Sequence, residues 1–157
     1  MDNIPSYDDL SQMSDQQLTQ IFGVRDFFVY ELDFSTFAAN ATPQGSFTVQ
    51  ADSNFLWQYG SMYWDGSADV AVDSPQSVPM VSCNVQDSSS GRNLMSANVP
   101  VQSIFGNGQL PFLLPTPRFF RAQTTVTVSL LNFSSALSYR MKLSFIGTKF
   151  YKYAQGI

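Results

Sequence analysis

The sequence contains no histidine. Neither a Ser-His nor a Cys-His nucleophile system can be built from it, and no metal site can use imidazole. Its one cysteine, Cys83, excludes an internal disulfide and a cysteine metal cage. Charge is scarce too: 13% of the 157 residues are Asp, Glu, Lys or Arg, against about a quarter in an ordinary soluble domain. No apolar run approaches the roughly 18 residues of a membrane span. The segment Met1-Asp2-Asn3-Ile4-Pro5 lacks the basic and apolar regions of a secretory signal. A glycine-rich phosphate loop is missing as well. These absences predict a protein that is not an enzyme, uses no cofactor or metal, avoids membranes and is made in the cytoplasm without secretion.

In place of charge the chain offers 51 Ser, Thr, Asn and Gln residues, beside 44% hydrophobic and 15% aromatic content. A neutral, hydrogen-bonding surface of this kind suits pairing with other protein surfaces. The length fits one domain, or one domain with a terminal arm, with apolar side chains enough for a real core. Residues 1–87 hold all twelve acids and one base, Arg25, a net charge of −11. Residues 88–157 hold seven bases and no acid. Two readings follow: the halves interleave within one domain, or acidic and basic faces of neighbouring copies meet and set the register of an assembly. Seven bases scattered over the second half make no nucleic-acid patch, so no nucleic-acid partner is expected.

The first 23 residues differ in period from the rest. Ser14-Asp15-Gln16-Gln17 has capping-box spacing, Leu18, Ile21 and Phe22 follow at helical spacing, and Gly23 supplies a stop. Residues 1–23 therefore read as an arm with a short helix, preceded by a polar segment from Asn3 to Ser11. A helix this short needs something to pack on, its own domain or a neighbour.

From residue 24 to 157 the alternation is that of strands. It is seen at Phe27–Phe34, Ser46–Ala51, Val70–Val72, Val81–Gln86, Thr125–Leu130 and Tyr139–Phe145, with Lys149–Tyr153 extending the last past a bulge at Gly147. Phe28, Tyr30, Leu32 and Phe34 share one face, as do Phe47, Val49 and Ala51. Loops rich in Pro, Gly, Asn and Ser separate these runs, among them Asp87–Asn93, Asn107-Gly108 and Leu114–Pro117. The pattern predicts an all-β antiparallel sandwich, with a jelly roll as the leading topology.

Asn54–Tyr59 and Met62–Asp65 form the most aromatic stretch. Trp57, Tyr59, Tyr63 and Trp64 could stack on sugar rings, but such residues equally fill strand cores and subunit interfaces, which is the favoured reading. Asp65, Asp69 and Asp73 recur every four residues without the spacing of a calcium loop and read as a solvated acidic loop. Any pair of these acids could be offered for glycoside hydrolysis, a signal with almost no content. Asp87–Arg92 reads as a hairpin connection, or as a loop carrying Arg92 to a neighbour. In the segment Leu110–Arg121, three prolines confine the chain to a sheet edge or a sandwich end. Its apolar residues either cap the core, the expectation for Leu113 and Phe119, or await a partner. Contact roles fall to Pro115, Pro117, Arg118 and Arg121, together with Arg92 and the arm residues Leu18, Ile21 and Phe22.

The C-terminal third resembles a known group. Phe112–Phe120 carries Pro115, Pro117 and Arg118 into the strand Thr125–Asn132, which ends in Asn. The strand Tyr139–Lys149 then ends in the step Gly147-Thr148-Lys149. This succession, with the phrase Gln50–Phe55, is similar to small virion structural proteins of tailed bacteriophages of the jelly-roll cement or decoration type. The resemblance implies a capsid cement protein on the virion surface, bridging major capsid protein subunits as a homodimer or homotrimer. The other role it allows is a head-tail or fibre-associated module that binds host carbohydrate. It carries no catalytic residue across.

Overall fold

The computed structural model describes residues 6–66 and 79–151, the side chain of Tyr7 excepted. The expected strand Val70–Val72, the acids Asp69 and Asp73, and the continuation to Lys152 and Tyr153 lie outside the described residues. Among the described residues two short helices, α1 (Tyr7–Gln12) and α2 (Asp15–Phe22), precede nine strands. These are β1 (Arg25–Phe37), β2 (Gln44–Thr48), β3 (Ser53–Gly66), β4 (Val81–Asp87), β5 (Arg92–Asn93), β6 (Val99–Pro100), β7 (Phe112–Phe120), β8 (Thr125–Asn132) and β9 (Tyr139–Tyr151).

The strands form two antiparallel sheets in the orders β1-β9-β3-β7 and β2-β8-β4-β5, with β6 added to β4. The pairing is nested: β1 with β9, β2 with β8, β3 with β7, β4 with β5. A long hairpin rolled up on itself pairs its strands in this way, and the result is the double Greek key of a jelly roll. Prolines 115 and 117 fall on β7, an edge strand, where a missing N–H does not break a ladder.

Alternation places the core. Tyr30, Leu32 and Phe34 of β1, Val126, Val128 and Leu130 of β8, and Met141, Leu143 and Phe145 of β9 are buried between the sheets. Aromatic rings fill the centre: Tyr30 stacks on Phe47 at 4.7 Å between centroids and meets Phe55 edge-on at 4.9 Å. Trp57 lies 4.6 Å from Phe145. Ala51 departs from the expected inward face, because β2 stops at Thr48 and Ala51 is exposed in the turn that follows. Leu114–Pro117 is not a free loop but the middle of β7, four residues that stand opposite Gln58 alone.

The bulge expected at Gly147 is instead on its neighbour. β1 pairs with β9 without a shift at Gly147, whereas β3 jumps register between Trp57 and Tyr59, leaving Gln58 as the extra residue. Gly147 is required for another reason: a Cβ there would collide with the Leu56 carbonyl oxygen. The extra residue reverses the faces of β3. Phe55 and Trp57 point into the sandwich before it, and Met62 and Trp64 do so after it.

The arm is seated on its own domain. Ser14 accepts from the Gln17 backbone N–H and the Gln17 side chain accepts from Ser14 N–H, while Gly23 takes φ 87°, the stop the sequence predicts. A second capping box, Ser6 with Asp9, starts α1. Leu10 and Leu18 are buried against Leu56, Phe119 and Phe150 on the outer face of the four-stranded sheet, and Phe22 stacks on Phe119 at 5.7 Å. Leu18→Ala should therefore destabilise the whole domain by about 2–4 kcal/mol, read as a lower urea midpoint. An unchanged midpoint would show that the helix is not docked in solution.

Candidate functional site

The outer face of the four-stranded sheet is banded. At one end the helices cover Leu56, Phe119 and Phe150. At the other, Glu31 and Asp33 of β1 face Lys142 of β9 at 3.5 and 3.8 Å. Between them a row runs across all four strands. Val29 pairs with Ile146, Ile146 with Tyr59, and Tyr59 with Leu113, so these side chains share one face. Leu113 is 58% exposed, Tyr59 39%, and Phe27, one row nearer the helices, 75%. The row is apolar, open to solvent at Tyr59 and Leu113 and half-buried at Val29 and Ile146.

Several residues expected at contacts do other work. Leu18 and Phe22 sit on the chain's own sheet, where their apolar surface has already found a partner; Ile21 is on the exposed side of α2. Arg118 is not a surface contact. Its guanidinium crosses from β7 to the fully buried Asp87 of β4 at 3.2 Å and also donates to Ser90. Leu113, expected to cap the core, is on the outer face, while Phe119 is buried beneath α2. Arg92 opens β5 and meets Asp8 of α1 at 3.4 Å, a solvated pair of little energy. Pro115 and Arg121 are exposed, and Pro117 lines a cleft beside α1.

The sugar-stacking quartet does not assemble. Trp57 is 2% exposed with its indole N–H donated to the Tyr59 carbonyl, Tyr59 lies in the apolar row, and Tyr63 and Trp64 line a separate cleft. Of the two charge readings, the ion pairs Arg92–Asp8, Arg118–Asp87 and Lys142 with Glu31 and Asp33 join the acidic and basic halves within one chain. No group of three or more acids and cysteines arranged to hold a metal occurs among the described residues. Cys83 is fully buried in β4, and burial pushes its thiol up to about 12.

The motif residues of the C-terminal third have structural work. Asn132, buried at the end of β8, donates to the carbonyls of Ala38 and Leu137 and accepts from Ser134 N–H. Lys149, 2% exposed, sets its ammonium 3.7 Å from the centre of the Phe28 ring and donates to Gln50 Oε1. Burial holds the lysine below its ordinary 10.5, with Asp52 opposing in part. No protein-family model matches the chain, and no curated protein or solved structure matches it significantly.

Two outcomes follow from these buried charges. Asp87→Asn leaves the Arg118 cation without its carboxylate and should cost about 3–5 kcal/mol, part of which a further Arg118→Met recovers. Urea titration of both variants measures this, and a neutral single variant would show that the pair is solvated. For Lys149 the unfolded chain binds more protons than the folded one in the window just below pH 10.5, so this site's contribution to stability rises with pH there. Lys149→Met should lose that rise. The Cys83 thiol acts in the opposite direction above pH 9 and cancels, because it is present in both proteins. Equal pH slopes for the two proteins would refute a buried ammonium.

Proposed function

We propose that this chain is a structural protein that acts by surface contact, and specifically a capsid cement protein of a tailed bacteriophage. It would lie on the virion surface, bridging subunits of the major capsid protein as a symmetric homodimer or homotrimer. The observation that carries the reading is the apolar row of Val29, Ile146, Tyr59 and Leu113, half-buried at the first two and open to solvent at the last two, with the exposed Phe27 in the neighbouring row. A contiguous exposed apolar strip on a small domain marks an interaction surface. Tyr and flanking apolar residues supply the desolvated centre of such an interface, and Ser61 and Ser144 with the charged Glu31 in the next row supply a polar rim. The phage assignment rests on the resemblance of the C-terminal third.

Mechanically, cement adds buried area across junctions between capsid subunits, so that pressure from the packaged genome meets more contacts. A rigid sandwich suits that task because its interface side chains are held on strands and lose little freedom on docking. The arm, seated on its own sheet, contributes the border of this surface rather than a strap to a neighbour.

Replacing Tyr59 and Leu113 together by Glu should abolish attachment to expanded shells of the major capsid protein in co-sedimentation, with the urea midpoint changed little. Undiminished attachment of that variant would move the contact elsewhere. A wild-type protein that stays monomeric by light scattering and binds no shell would overturn the cement reading.

A further inference from the structure

The last six residues of β3 run beyond its pairing with β7, which ends at Gly60 and Phe112. A different segment covers that edge. Gly106 donates its N–H to the Gly60 carbonyl at 3.0 Å, and its own carbonyl accepts from Met62 N–H at 2.7 Å. The two segments can approach so closely because Gly60 has no side chain: a Cβ there would collide with the Ile104 carbonyl oxygen. Between this segment and the strand lies an open cleft of about 420 Å³, with Tyr63 and Trp64 on the strand side and Gln102, Asn107 and Leu110 opposite.

The chemistry of the walls is specific. Tyr63 is 57% exposed, and its ring is steadied by a bond from its hydroxyl to Asp65 Oδ2 at 3.2 Å. Asn107 is held by its own loop: its Oδ1 accepts from Gln109 N–H at 3.0 Å and Leu110 N–H at 2.7 Å. That fixes the plane of the amide and leaves the Nδ2 hydrogens without a partner among the described residues. Among the described residues no lysine or arginine lines the cleft, so no side-chain cation there favours phosphate, sulfate or carboxylate. One exposed aromatic face, that of Tyr63, beside two neutral amides, of which Asn107 is held by its loop, fits the C–H face and the hydroxyls of a sugar ring.

We propose that this cleft is a binding site for a neutral pyranoside. The ring stacks on the exposed outer face of Tyr63, where that side chain borders the cleft, and adjacent hydroxyls accept from Asn107 Nδ2 and pair with the Gln102 amide. The site is separate from the apolar row and does not depend on the cement reading.

The test is nuclear magnetic resonance of the full ¹⁵N-labelled chain, titrated with maltotriose and with tri-N-acetylchitotriose to about 10 mM, the range of a weak single-ring site. Saturable shifts of the Asn107 side-chain amide and the Trp64 indole are expected with at least one sugar. Asn107→Asp keeps the oxygen that holds the loop and removes both donors, so it should weaken binding about tenfold with an unchanged thermal midpoint. Tyr63→Leu should do the same by removing the stacking face. No saturable shift with either sugar overturns the proposal. So do shifts confined to residues outside the cleft, and so does wild-type affinity in both variants.

Discussion

Fourteen residues of β3 cross the sandwich with one more residue than their neighbour β9 can match, and the surplus is Gln58. Ahead of it the odd-numbered side chains face the core; behind it the even-numbered ones do. The same slip turns Tyr59 outward beside Ile146 and Leu113, while Leu56, three residues earlier, lies under the helices. Thr148 fastens the bulge by donating its hydroxyl to Gln58 Oε1 at 2.9 Å. Opposite it, Gly147 lets β3 press its backbone against β9. Without the extra residue, Trp64 and Met62 would face outward and Tyr63 inward, and the banding of the outer face would be lost.

Polar groups close the sandwich where apolar packing ends. Asp87 and Arg118 tie β4 to β7, Asn132 ties β8 to the chain after β1, and Lys149 plugs the gap beside Phe28 and Gln50. Asp87, Asn132 and Lys149 are each buried with a partner of opposite charge, a carbonyl or a ring, which is what allows them to be buried at all. Arg118, Asn132, Lys149 and Gln50 also belong to the stretches that resemble phage virion proteins. Their part in closing the sandwich explains why that likeness speaks more directly of a sandwich than of a task.

Much of the fold was legible because its signals were local. Ser14, Gln17 and Gly23 set the ends of α2 by hydrogen bonds within one turn, and two-residue alternation revealed β1, β8 and β9. Helix α1 was missed although Ser6 and Asp9 have capping spacing, since six residues are too few to show a period. The position of the bulge could not be read, because a register slip is a relation between two strands and neither sequence carries it alone. The same holds for Arg118 and Leu113. Both stand on a Pro-rich segment, and which one faces the opposing sheet depends on pairing with β3. The cleft beside Tyr63 was half visible in its aromatics. Gln102 and Asn107 join it only through the backbone bridge at Gly106.

The nested pairing has a consequence for the chain as it leaves the ribosome. β9 separates β1 from β3, and β8 separates β2 from β4, so neither sheet has its centre until the final third has been synthesised. Until then the emerged part is a polyanion carrying −11 over its first 87 residues, with its apolar strands lacking the neighbours they are shaped for. Mutual repulsion of those acids keeps such a chain extended and hinders premature strand pairing between nascent copies. The basic strands arrive last, and with them the neutralising charge and the missing central strands.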